Sequence, residues 1–157
     1  MFWKSKPKER TINEPAFRVT LPDEWIQEPS TAPNLWTYHA EGQREELTIS
    51  IMGDTQQMSH DELSAWLHRL VEMRRHAETQ IPGVAGVMVS EATFAELEGT
   101  LVARYVGTQP SAQRRFYCLV LGSSRTLYFF YYEALDMPET ESEARARQIF
   151  NSIVVPR

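Results

Sequence analysis

The chain is poor in the residues and runs that define several large protein classes. One cysteine stands among 157 residues, Cys118, so no disulfide can form within the chain. A single thiol agrees with a reducing compartment. No apolar run reaches the roughly 18 residues that a membrane-spanning helix needs. Met1-Phe2-Trp3-Lys4 has no apolar stretch or small-residue cleavage site behind it, which argues against a secretory leader. These absences make a cytoplasmic location the expectation. There is no G-x-S-x-G elbow, no Walker loop and no G-x-G-x-x-G turn. No cofactor is therefore expected.

Lysine is nearly missing too. All three lysines, Lys4, Lys6 and Lys8, lie in the first ten residues, where with Arg10 and against Glu9 they give +3. The other 147 residues hold 12 arginines against 20 acidic residues, or −8. An acidic body repels a phosphate backbone, which argues against a nucleic-acid partner. The basic start suits a solvated arm, and an acidic partner or anionic surface is the other use such an arm has.

What is present is ordinary for a globular domain: 42% hydrophobic and 24% charged residues. A chain of this length buries roughly 70% of its unfolded surface, enough for a real core. Residues 1–15 are polar, lack periodicity and read as a flexible basic arm, leaving residues 16–157 as one domain. Phe17 to Leu21 alternates apolar and polar, as a half-buried strand does, and Pro22 ends it. Leu35–Ala40 and Leu47–Met52 form an expected hairpin around Glu41-Gly42-Gln43. Ser59-x-x-Glu62 is a capping-box pattern. Leu63, Trp66, Leu67, Leu70 and Val71 follow it at helical spacing, and Pro82-Gly83 stops the helix. Four strands are expected next, near Val87–Phe94, Thr100–Val106, Arg114–Leu121 and Thr126–Tyr132, with short turns that favour an antiparallel meander. Thr140-x-x-Glu143 resembles a second capping box and opens a closing helix with Ala146, Ile149, Phe150 and Ile153 on one side. The fold class is α+β, with a central antiparallel sheet of about six or seven strands and two main helices in the order βββαββββα.

Candidate chemistry is thin. His68, Glu72 and His76 recur every four residues on the first helix, a spacing that can bring ligands to zinc. Arg69, Arg75 and Glu78 flank them, and a solvated charged face accounts for the pattern. Cys118 alternates with Phe116 and Val120 and reads as a small buried hydrophobe. No catalytic and no metal residue is assigned, and a non-enzymatic role is expected.

The sheet says more. The simplest packing sets both helices on the uniformly apolar face. The other face then mixes Arg18, Thr20, Thr48, Ser50 and Arg104 with Trp36, Tyr38, Tyr117, Tyr128 and Tyr132. These ten residues are the candidate partner-binding face, since Tyr, Trp and Arg are the types enriched at interface hot spots. Two alternatives stay open: a second layer that closes this face into plain core, and a small-molecule pocket between sheet and helix. Edge-to-edge pairing of two copies is also left open.

The stretch Phe17-Arg18-Val19-Thr20-Leu21-Pro22-Asp23-Glu24-Trp25 resembles the opening of the PsbP-like and DcrB-like proteins. Leu47-Thr48-Ile49-Ser50-Ile51, the Ser59-capped helix, and Ile149-Phe150-Asn151-Ser152-Ile153 are similar to the middle and close of that pattern. The resemblance covers about residues 16–155 and implies an α/β/α sandwich around an antiparallel sheet. It also implies a mostly non-enzymatic superfamily that binds other proteins, among them the Eag chaperones of type VI secretion, which shield apolar helices. By that resemblance the expected role is a cytoplasmic adaptor or chaperone for an apolar or helical segment of a partner protein. No binding residue carries over, because no binding motif is matched.

Overall fold

The centre of the molecule is the strand that the sequence marks as apolar on both sides, Thr126–Leu135. In the computed structural model, which describes residues 8–54, 58–123 and 126–156, this strand has a neighbour on each edge. Lys4, Lys6, Ser124 and Arg125, from the basic arm and the last hairpin turn, lie outside the described residues.

The elements run β1 (Glu9–Asn13), β2 (Arg18–Pro22), β3 (Ile26–Glu28), β4 (Leu35–His39), β5 (Glu45–Asp54), α1 (His60–Glu78), β6 (Met88–Val89), β7 (Thr93–Leu97), β8 (Thr100–Gln109), β9 (Arg114–Gly122), β10 (Thr126–Leu135) and α2 (Glu139–Asn151). The main sheet has eight strands in the order β3-β4-β5-β10-β9-β8, with β6 and β7 sharing the outer edge of β8. Every pairing is antiparallel. β1 and β2 form a separate two-stranded ribbon.

The register fixes which side chains share a face, because opposed residues of an antiparallel pair point the same way. Arg104, Leu119, Phe130, Ile49 and Trp36 lie in one row across the sheet. Val106, Tyr117, Tyr132, Leu47 and Tyr38 lie in the next row of the same face. This face packs against Phe17, Val19, Leu21 and Trp25 of the ribbon segment and Ala146 and Ile149 of α2. The opposite face, with Ala103, Cys118, Val120, Leu127 and Phe129, packs against Leu63, Leu67, Leu70 and Val71 of α1. The helices therefore cover opposite faces, not one. The single-face packing expected from the polar residues fails because both faces of the central strands are apolar enough to need a cover.

α1 forms as its sequence dictates. The Ser59 hydroxyl accepts from the Glu62 amide, and the Glu62 carboxylate accepts from the Ser59 amide. α2 starts earlier than expected, at Glu139 with Pro138 as its N-cap, and carries no side-chain cap. Thr140 is already the second residue of the helix, past the cap position, so its hydroxyl does not cap it, while Glu139 and Glu141 place negative charge at the helix start. Glu9–Asn13, expected within a loose arm, pairs residue by residue with β2. The expected single strand 87–94 is split. Val89 opposes Gly107 but Thr93 opposes Arg104, so one extra residue is accommodated between them. There the Val106 amide donates to the Ser90 hydroxyl, a side chain standing in for the ladder. Such bulges at an edge limit pairing with another sheet.

Candidate functional site

α2 crosses β9 and leaves the outer strands of its own face uncovered. Between it and β8 runs a groove of about 470 Å³. Its floor is Arg104, Val106 and Thr108 of β8 with Arg115 and Tyr117 of β9, and its wall includes Ala146, Arg147 and Phe150 of α2. A second cleft, with Met88 and Met137 in its walls, shares Thr108 and Arg115 with the first. The two hollows are thus neighbours along one side of the sheet.

Apolar side chains reach solvent along this route. Met88 opposes Thr108 and Leu97 opposes Thr100, on the same face as Val106. Met88 and Leu97 are each 61% exposed and Val106 is 41% exposed. Met88 and Val106 are diagonal neighbours beside the groove and form a small apolar patch, while Leu97, opposite Thr100 at the far end of β8, lies roughly 20 Å from Val106 and stands alone. Charge in the groove is mostly neutralised internally. Arg115 lies 3.5 Å from Glu139, and Arg147 lies 3.2 Å from Glu143. The Tyr117 hydroxyl sits 2.8 Å from that of Ser142, tying the helix to the floor.

The ten residues expected on one binding face are distributed over several places. Trp36, Tyr38, Arg104, Tyr117, Tyr128 and Tyr132 do share a face of the main sheet. Only Arg104 and Tyr117 line the groove. Tyr38, Tyr128 and Tyr132 are buried under the ribbon and α2, and Trp36 meets Phe17 edge to face at 5.0 Å. Arg18 and Thr20 belong to the ribbon, in the opposite parity to its buried Val19 and Leu21. The Thr20 amide donates to the Ser152 hydroxyl at 2.9 Å. Thr48 and Ser50 lie on the α1 side, opposite Tyr131 and Phe129. Alternation alone did not reveal this, since the parity of one strand relative to another follows from their register.

On that side α1 covers β8 to β10, and a small cleft of about 160 Å³ opens beside β5 between Thr48, Ser50, Arg74, Glu78, Phe129 and Tyr131. The Arg74 guanidinium stacks over the Phe129 ring at 4.4 Å. Nearby, Arg114 donates to the Tyr131 hydroxyl at 2.5 Å and pairs with Glu133. Glu46 sits on the same shelf. Partial burial raises its pKa above the ordinary 4.5, and Glu133 and Glu28 raise it further. A carboxyl whose folded-state pKa exceeds its unfolded one binds its proton more tightly when folded, so its contribution favours folding at acid pH and is lost as pH rises through the window above 4.5. Glu46→Gln is therefore expected to raise the melting temperature at pH 7, with the gain shrinking toward pH 4. Calorimetry at the two pH values checks this, and a variant less stable than the parent at pH 7 would contradict it.

The histidine pattern of α1 does not converge. The His68 ring stacks on Phe94 at 3.8 Å, and Glu72 accepts from Arg75 at 2.6 Å. Among the described residues no group of three or more His, Cys, Asp or Glu side chains is placed to hold a metal ion. Cys118 is buried against α1, and desolvation pushes its thiol up to about 12, away from a reactive thiolate. No helix among the described residues is long and apolar enough to cross a membrane.

An eight-stranded antiparallel sheet with one helix on each face and a ribbon over one side defines the α/β sandwich of the PsbP fold. The chain is similar over 99% of its length, and over 97% of the other chain, to cyanobacterial PsbP (CyanoP) from Synechocystis, at 10% identity and a TM-score of 0.72. LpqN of Mycobacterium tuberculosis, a protein involved in cell envelope biogenesis, is similar at 14% identity and a TM-score of 0.49, covering 95% of this chain and 91% of that one. PA94 of Pseudomonas aeruginosa, a protein of unknown function, gives 13% identity and 0.49, covering 95% and 97%. The fold assignment rests on the first of these alone. No family model and no curated protein sequence matches the chain.

Proposed function

We propose that this is a non-enzymatic protein-binding module that seats an apolar segment of a partner protein in the groove between α2 and β8. The observation that carries the reading is the exposed strip of Met88 and Val106 on the uncovered part of the α2-side face, next to a groove floored by Arg104 and Tyr117. Burying such a strip releases about 25 cal/mol for each Å² of apolar surface. Tyr117, held by Ser142, offers a rigid aromatic at little entropic cost.

The test is a titration of the 15N-labelled chain with short apolar peptides. Amide shifts confined to β6, β7, β8 and the groove wall of α2, abolished by Val106→Glu, would support the reading. Shifts scattered over the molecule, or unchanged by Val106→Glu, would remove it. The groove volume of about 470 Å³ also falls within the range of small-molecule sites. That reading predicts thermal stabilisation by a metabolite that competes with the peptides. No described residue of β6 or β7 lines the groove on the side away from α2, where a small ligand would stay half in water, and this favours a chain segment over a small molecule.

A further inference from the structure

We infer that the partner segment carries a single carboxylate, placed to meet Arg104. This rests on the reading that the groove seats an apolar segment, and it narrows the class of segment. Three arginines line the groove. Two are already engaged, Arg115 by Glu139 and Arg147 by Glu143. Arg104 has no side-chain hydrogen bond or ion pair to any described residue and is exposed. In the sheet it stands between Val102 and Val106 on its own strand face and opposite Thr93, a residue without charge. It is an unpaired cation flanked on its strand face by two valines, in a groove whose other two arginines are already paired.

An occupant that covers this floor takes Arg104 out of water. A wholly apolar occupant would strand its charge, and burying an unpaired ion is costly. A lysine-bearing one would add repulsion. A carboxylate accepts two parallel N–H bonds from the planar guanidinium, the geometry arginine favours over lysine. The rest of the chain limits how acidic the occupant can be. With a net charge of −5 the molecule repels a strongly acidic peptide at long range. Local pairing at one point and repulsion elsewhere select a mostly apolar segment with one Asp or Glu.

The experiment uses three acetylated and amidated Leu- and Val-rich peptides that differ only in a central Glu, Gln or Lys. Binding to the full chain and to Arg104→Glu is followed by fluorescence anisotropy. The Glu peptide is expected to bind the parent chain about tenfold more tightly than the Gln peptide, with the Lys peptide weakest. Arg104→Glu should invert the order of the Glu and Lys peptides. Equal binding of all three would overturn the carboxylate inference and leave the groove reading standing. A Glu preference that survives Arg104→Glu would also overturn it. No binding by any peptide would remove both. Should Arg104→Glu fold poorly, Arg104→Gln serves in its place and should bring the Glu and Gln peptides to equal affinity; retention of the Glu preference there counts against the inference.

Discussion

Tyr132→Ala is expected to lower the unfolding free energy by about 3–5 kcal/mol, the range for removing a large aromatic from a packed interior. The ring is 0% exposed at the middle of β10. It stacks against Trp25 at 6.4 Å and against Tyr117 at 5.9 Å, so truncation opens a cavity between the sheet, the ribbon segment and α2. Its hydroxyl donates to Glu45 at 2.7 Å, and burial followed by that bond raises its pKa. Glu45 is also held by Arg145 of α2 at 3.1 Å, so Tyr132 braces an ion pair that joins α2 to β5. Tyr132→Phe keeps the ring and loses only the bond, which should cost about 1–3 kcal/mol because the acceptor is charged. Urea denaturation of both variants checks the pair. A loss below about 1 kcal/mol for the alanine variant would show that the site collapses freely and that the stacked arrangement is wrong. The sequence places Tyr128 and Tyr132 on the candidate partner-binding face. The hydroxyl of Tyr132 instead finds its partner inside the chain, and binding measurements on Tyr132→Ala would report lost folding.

The contrast between Tyr132 and Arg104 shows what the sequence makes legible. The pattern of Thr126–Glu133 identifies a central strand, and the Ser59 box with its leucine stripe identifies α1. Both are local signals, written in consecutive residues. Assigning a residue to the open or the closed part of a face needs two further facts. One is register: Thr48 shares a strand with Leu47 and Ile49, yet lies on the α1 side with Tyr131. The other is coverage: Tyr117, Tyr132 and Tyr38 occupy the same row, and their exposure depends on where α2 and the ribbon cross it. The α/β/α layering implied by the family resemblance placed the helices correctly, whereas counting polar residues put both on one side. The groove lies between α2 and β8, a relation that no run of consecutive residues records. Met88, which enlarges its apolar strip, carried no signal, because the expected strand Val87–Phe94 was read without the interruption at Ser90 that separates β6 from β7.

Gly107→Ala is expected to destabilise the chain by about 3 kcal/mol, near the upper end of the overpacking range. Gly107 lies mid-strand in β8, opposite Phe116 of β9. A Cβ built there would stand 2.0 Å from the Phe116 Cζ and 2.4 Å from both Cε atoms. The Phe116 ring thus lies across the glycine, filling the space of the missing side chain. It cannot retreat easily, since it is itself buried, stacks on Tyr131 at 5.4 Å and lies 4.7 Å beneath the Arg114 guanidinium. The backbone also has little freedom to move, because Gly107 is held between β9 and Val89 of β6. The clash must be relieved by displacing the ring, the Arg114–Tyr131–Glu133 set above it, or the β6 edge. Removing the ring should reverse the order of effects. Phe116→Leu alone leaves a hole over the glycine, and combined with Gly107→Ala the added methyl helps to fill it. The double variant is therefore expected to be more stable than Gly107→Ala by at least about 1 kcal/mol, a non-additivity typical of residues in contact. Simple additivity of the two losses in a denaturation cycle would mean that Phe116 does not cover Gly107. Because Gly107 also lines the groove, β6 displaced in the single variant should weaken peptide binding, and the double variant should restore it.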